Sequence, residues 1–90
     1  MSQNESKAVT FVCKHFKDLS LEELYQCMQL RQAVFVVEQN CPYIDADDRD
    51  QEAWHLMGFL KEQLVAYARL IPPGISYQDY ASIGRVITDK

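Results

Sequence analysis

Arg31-Gln32-Ala33-Val34-Phe35-Val36-Val37-Glu38-Gln39-Asn40-Cys41-Pro42-Tyr43 sets charged residues inside an apolar run and passes at once into the acidic stretch Asp45-Ala46-Asp47-Asp48-Arg49-Asp50-Gln51-Glu52. At 100° per residue, Leu24, Cys27, Met28, Val34 and Phe35 surround one helical face with Arg31 in its middle. Glu38 falls close to the Arg31 line, two turns on. A guanidinium in such a stripe needs a carboxylate, a carbonyl or an anionic ligand to offset its desolvation. A structural salt bridge to Glu38 or to an Asp of the following loop is the plainer reading, and it is compatible with ligand contact.

Upstream, Ser20 and Glu23 spell a capping box, and Leu19 and Leu24 occupy the positions of a hydrophobic staple. The spacing predicts a helix from about Leu21 to about Val37, broken by Asn40, Pro42 and the acidic stretch. Ala8 to Phe16, with Val9, Thr10, Phe11, Val12 and Phe16, reads as a first strand, and Lys14-His15 suggests an edge. Ala53 to Leu60 and Leu64 to Ile71 read as an antiparallel hairpin across Lys61-Glu62-Gln63. Period two places Val65, Tyr67, Arg69 and Ile71 on one side of it and Leu64, Ala66, Ala68 and Leu70 on the other, whose small residues leave room for a helix. Pro72-Pro73-Gly74 ends this strand, and Ser82 to Ile87 forms the last.

With 90 residues, 48% of them hydrophobic and 24% charged, the chain fits one small folded domain, residues 1–90, with residues 1–7 as a disordered N-terminus. A domain of this size buries only roughly 60–65% of its unfolded surface, which makes oligomerisation a live expectation. The net charge of −4 provides no basic footprint for nucleic acid. No apolar run reaches the ~20 residues of a membrane span, and the polar start has no secretory character, so a cytoplasmic protein with reduced thiols is expected.

The acidic stretch opens like a calcium loop, but Asp50 stands where the loop needs Gly and Leu56 where it needs the bidentate Glu. It is either a solvated loop or a recognition site for a cationic amine. Cys41 and His55 lack a spacing that supports a nucleophilic pair, and the plain reading of His55 is an interior histidine hydrogen-bonded to the acidic loop. The histidines and cysteines have no zinc-ligand spacing, and no metal is expected. Gly84 marks a bulge or a close backbone approach by a ligand, and Arg85, between Ile83 and Ile87, reads first as an ion pair.

Taken together, Leu30-Arg31, Val34-Phe35-Val36-Val37-Glu38-Gln39, Pro42-Tyr43, the Asp45 and Asp48 pair, His55, Ala66-Tyr67-Ala68-Arg69-Leu70 and Ile83-Gly84-Arg85-Val86 resemble the N-terminal half of the ElaA-like branch of the GNAT superfamily of acyl-CoA N-acetyltransferases. The resemblance covers nearly all of Leu21 to Val86. It implies an α+β fold, a mainly antiparallel sheet of about four strands with one long N-terminal helix. The implied reaction is acetyl transfer from acetyl-CoA to a small-molecule or peptide amine. Ile83, Gly84, Arg85 and Val86 would line the cofactor, and a backbone N–H of this strand would serve the thioester oxygen. Arg31, Phe35, Tyr43, Asp48, His55 and Arg69 would line the acceptor side. Glu38 ranks first as general base, ahead of Asp48 and His55, on the expectation that an apolar setting raises its pKa.

The family continues beyond this strand with an R-x-x-G-x-G type loop, a helix and further strands. Without them the 90 residues alone are expected to be inactive. Two other readings remain. One is a non-catalytic half-domain that forms a homodimer through its last strand and an uncovered sheet face. The other is an acyl-homoserine-lactone-synthase-like acyltransferase, suggested by the Arg–Phe helix, the paired acids and the Ala66-Tyr67-Ala68-Arg69-Leu70 strand.

Overall fold

A computed structural model describes residues 8–75, 78 and 80–88. The expected disordered segment 1–7 lies outside them. Four strands, β1 (Val9–His15), β2 (Trp54–Leu60), β3 (Gln63–Ile71) and β4 (Ser82–Thr88), pair antiparallel in the order β1-β2-β3-β4. β1 is an edge, as its Lys14-His15 break suggested.

One helix, α1 (Leu21–Arg31), starts at the capping box read from the sequence. The Glu23 N–H donates to Ser20 Oγ at 3.0 Å and the Ser20 N–H to Glu23 Oε1 at 2.8 Å. Glu23 also accepts from Lys14 Nζ at 2.9 Å, tying the start of α1 to β1. Beyond Arg31 the helix does not keep its α period: Gln32–Glu38 is π-helical. The wider i→i+5 turn carries Glu38 off the Arg31 line, so Arg31 is buried and Glu38 exposed. Asn40, at φ 51°, ends the segment in the left-handed conformation that Asn tolerates.

Register organises the face of the sheet that α1 covers. Val12, Met57, Tyr67 and Ile87 are successive cross-strand partners and form one apolar row. Cys27 packs on this row with Leu64, and Leu19, Leu30, Val34, Phe35 and Phe59 close its margins. Two residues further along, Lys14, His55, Arg69 and Gly84 form a polar row. One helix thus covers a hydrophobic core and a charged one side by side.

The helix therefore packs on the Tyr67 side of β3, not on the Ala66 and Ala68 side where small residues suggested room. Alternation identifies which residues share a face but not which face a helix covers. Leu64 nevertheless reaches the core, because a register shift between Gly58 and Phe59 leaves Val65 as an extra residue. The small residues serve the other face: a Cβ on Gly58 would stand 2.8 Å from the Phe11 ring and 2.9 Å from Ala66 Cβ. That face is open, with Phe11 59%, Ile83 69% and Val86 59% exposed. The β2–β3 turn is Lys61-Glu62, with Lys61 at φ 58° as the twist of a two-residue hairpin favours.

Candidate functional site

The loop between the π-helical segment and β2 folds back over the polar row. Its carboxylates Asp45, Asp47 and Asp50 meet Arg31 of α1, Arg69 of β3 and Arg85 of β4, three charges of each sign. Arg31 is 0% exposed. Its Nη1 donates to Asp50 Oδ1 at 2.7 Å and its Nη2 to the Asp45 carbonyl at 2.9 Å. Its Nε lies 2.8 Å from Asp45 Oδ2 as an ion contact without hydrogen-bond geometry. Arg69 grips Asp47 with two bonds, at 2.7 and 2.9 Å, and shares Asp50 Oδ1 with Arg31. Such a network costs desolvation, and only near-complete pairing makes it tolerable.

The charges set the titration of their neighbours. Burial alone would lower the Arg31 pKa, but the Asp50 hydrogen bond and the Asp50 and Asp45 charges outweigh it and the shift is upward. Arg69 is raised in the same way by Asp47 and Asp50 against its burial. Burial also opposes ionisation of Asp47, yet the Arg69 hydrogen bond, the Arg49 N–H and the Arg69 and Arg85 charges hold it down at about 2. His55, 0% exposed, is lowered first by burial and then by Arg31 and Arg69, against the pull of Asp50. It is therefore neutral, and its tautomer follows from its contacts. Nε2 lies 3.0 Å from the Asp50 carbonyl, which only accepts, so Nε2 carries the proton; Nδ1 accepts from Tyr67 Oη at 2.6 Å.

On β4 the ladder is irregular. Arg69 pairs with Gly84 and Tyr67 with Ile87, so Arg85 and Val86 together oppose Ala68. This is a two-against-one bulge, and Arg85 sits in it at φ 51°. A left-handed backbone costs an L-residue roughly 1–2 kcal/mol. A Cβ on Gly84 would meet nothing within 4 Å, so the fold itself does not require glycine there. Beside the bulge runs a cavity of about 540 Å³ between helix and β4, lined by Leu30, Ala33, Val34, Glu38, Val86, Ile87 and Thr88. A larger hollow of about 890 Å³ lies at the start of α1 against Glu62 and Leu64, and none of the clustered arginines or aspartates lines it.

The fold distributes the residues singled out in the sequence among the charged cluster, the core, the cavity and the loop surface. Arg31, His55, Arg69 and Arg85 join the charged cluster, and Tyr43 closes it, with its hydroxyl 3.2 Å from Asp45 Oδ1 and its ring under Arg85. Phe35 packs on the apolar core. Glu38 stands apart on the cavity with Val86; it is exposed, so the apolar setting expected for it is absent. Asp48 is exposed and left-handed at φ 65°, while Asp47 points inward. The partners of Arg31 are Asp45 and Asp50 of the following loop, one of the two alternatives its sequence setting left open, and not Glu38. Sequence reasoning passed over Asp47, Asp50 and Tyr67. The i, i+2 spacing of Asp45 and Asp47, opposite three apolar-flanked arginines, was the available signal.

Among the described residues, no group of three His, Cys, Asp or Glu side chains is arranged to hold a metal ion, and no helix is long and apolar enough to cross a membrane.

No protein-family model matches the chain. Protein ElaA of Escherichia coli is 46% identical over 78 residues, which are 84% of this chain and 50% of that protein. The crystal structure of an acyl-CoA N-acyltransferase from Pseudomonas aeruginosa superposes with a TM-score of 0.85 at 44% identity, over 91% of this chain and 57% of that one. The crystal structure of Escherichia coli ElaA gives a TM-score of 0.85 at 41% identity, over 92% and 57%. The chain spans about half the length of the curated relatives it matches. The chain thus has the ElaA-like GNAT acyl-CoA N-acetyltransferase fold, matched over about half the length of these relatives.

Proposed function

We infer that this chain contributes the acceptor wall and part of the acyl-donor wall of an N-acetyltransferase that moves an acetyl group from acetyl-CoA to an amine. The observation that carries this reading is the juxtaposition on one cavity of the bulged strand β4 and the carboxylate of Glu38. A bulge takes backbone groups out of the ladder, and groups so freed suit a pantetheine arm and a thioester oxygen. In this reading Ile83 to Val86 hold the donor. Glu38 takes the proton released as the amine attacks the acetyl carbon and the thiolate leaves. Tyr43 and Asp48 face the acceptor, while Arg31, His55 and Arg69 act from behind by fixing the loop that carries them. Phe35 braces the helix from the core.

The test is a calorimetric titration of the chain with acetyl-CoA, followed by acetyl transfer to a panel of amines. Saturable binding is expected, and in a transferring assembly Glu38→Gln is expected to lower kcat. Unchanged rate and pH profile in that variant would remove Glu38 from the reaction.

A second reading rests on the exposed apolar residues Phe11, Ile83 and Val86 of the uncovered sheet face. They suit a homodimer through β4, in which the chain is an interaction module. Mass in solution separates the two: a monodisperse dimer without acetyl-CoA binding favours the module, and a folded monomer refutes it.

A further inference from the structure

Arg85 combines an unfavourable backbone with an unusually complete hold on its side chain. Its φ of 51° is left-handed, where residues with a Cβ are disfavoured. Its Nε donates to Asp45 Oδ1 at 2.8 Å, its Nη2 to the Asp45 carbonyl at 3.2 Å and to Asp47 Oδ2 at 3.3 Å, and its guanidinium lies 5.7 Å from the centre of the Tyr43 ring. These partners belong to the acidic loop and not to the sheet. Asp45 is itself fixed from the other side, because Arg31 holds its second carboxylate oxygen and the same carbonyl. Were the extra residue expelled from β4, the strand beyond it would slip by one and turn Ile87, now 5% exposed, out of the core.

We propose that Asp45, supported by Asp47, is a positioning residue that clamps Arg85 in the left-handed conformation and so fixes the β4 bulge on which the acyl donor is held. The link to the donor rests on the acetyltransferase reading; the clamp itself does not. The geometry has a functional corollary, since Asp45 joins the helix that carries Glu38 to the strand that carries the bulge. Acceptor wall and donor wall share one carboxylate.

Two variants isolate the backbone effect. Arg85→Met and Arg85→Gly abolish the same ion pairs and differ in the Cβ, which penalises the left-handed conformation only in the methionine variant. Nuclear magnetic resonance reads residue 85 through its HN–Hα coupling and Cα shift, and reads the bulge through amide exchange at residues 85–87. In Arg85→Met residue 85 is expected to leave the left-handed region and acetyl-CoA affinity to fall by about tenfold or more. In Arg85→Gly the bulge is expected to persist, with amide exchange at residues 86 and 87 as in the wild type. A backbone that stays left-handed in Arg85→Met with wild-type amide exchange, or an Arg85→Gly variant as disrupted as Arg85→Met, overturns the clamp. If Arg85→Met does not fold, folding of Arg85→Gly supports the clamp and its failure overturns it. Absence of acetyl-CoA binding to the wild-type chain removes the link to the donor, and the resonance measurements still decide the clamp.

Discussion

Asp50→Asn tests whether the charged cluster is a balanced unit. Asp50 Oδ1 is the shared acceptor of Arg31 Nη1 at 2.7 Å and Arg69 Nη1 at 2.9 Å, with both arginines 4% exposed or less. The amide keeps the size of the carboxylate and removes its charge, leaving two aspartates for three guanidiniums. Removing one partner of a buried pair costs about 3–5 kcal/mol; each arginine retains another carboxylate, which argues for the lower end, about 3 kcal/mol. At 0.05–0.15 kcal/mol per residue, a chain of 90 residues has about 5–13 kcal/mol in total. The expected fall in Tm is roughly 12–24 °C. Urea unfolding followed by circular dichroism measures the loss directly. Adding Arg31→Met removes the excess positive charge, and the double variant is expected to regain at least about 1 kcal/mol over Asp50→Asn alone. A single variant within about 1 kcal/mol of wild type, or a double variant whose loss is the sum of the two single losses, would refute the balanced-unit argument.

Acidification should unfold the chain in two stages. Unfolded, His55 takes up a proton near 6.5, whereas its buried folded form resists. The unfolded chain binds more protons below that pH, so stability falls as pH drops through it. Asp47 protonates near 3.8 unfolded and at about 2 folded, so its contribution is complete above the first value and lost towards the second. Stability measured from pH 8 to pH 2 checks both stages, and His55→Gln should flatten the upper one; a flat wild-type profile between pH 7 and 5 would contradict the neutral assignment. Gly58→Ala places a methyl 2.8 Å from the Phe11 ring and 2.9 Å from Ala66 Cβ, and should cost about 1–3 kcal/mol in denaturant titration. Ser20→Ala removes the oxygen that accepts from the Glu23 N–H and should cost about 1 kcal/mol, measured in the same way.

The parts of the fold that were legible are those fixed by local chemistry. Ser20 and Glu23 set the start of α1 because their side chains bond each other's backbone whatever the rest of the chain does. Arg31 was legible as a buried charge because a guanidinium among apolar residues has few solutions, and His55 was legible as an interior residue bonded to the acidic loop. What escaped depends on backbone irregularity. The π-helical widening at Gln32–Glu38 decouples Glu38 from Arg31, and the extra residue at Val65 moves Leu64 into the core; neither changes composition or gross periodicity.

The acidic stretch shows most clearly how partners decide meaning. Read alone, its aspartates suggest a solvated loop or an amine-binding surface. In the fold Asp45, Asp47 and Asp50 are paired with Arg31, Arg69 and Arg85, and the exposed Arg49 also lies 3.9 Å from Asp47, so the cluster has no excess negative charge with which to draw an amine. Asp48 is turned outward by its left-handed backbone, and Glu38 lies exposed on the cavity beside β4. Attraction of a cationic acceptor therefore falls to carboxylates outside the cluster, and an exposed carboxylate is screened by salt where a buried one is not. Acceptor KM in a transferring assembly should rise with ionic strength while stability of the cluster changes little. A KM indifferent to salt would mean that the acceptor is recognised by its apolar part and that Glu38 and Asp48 do not attract it.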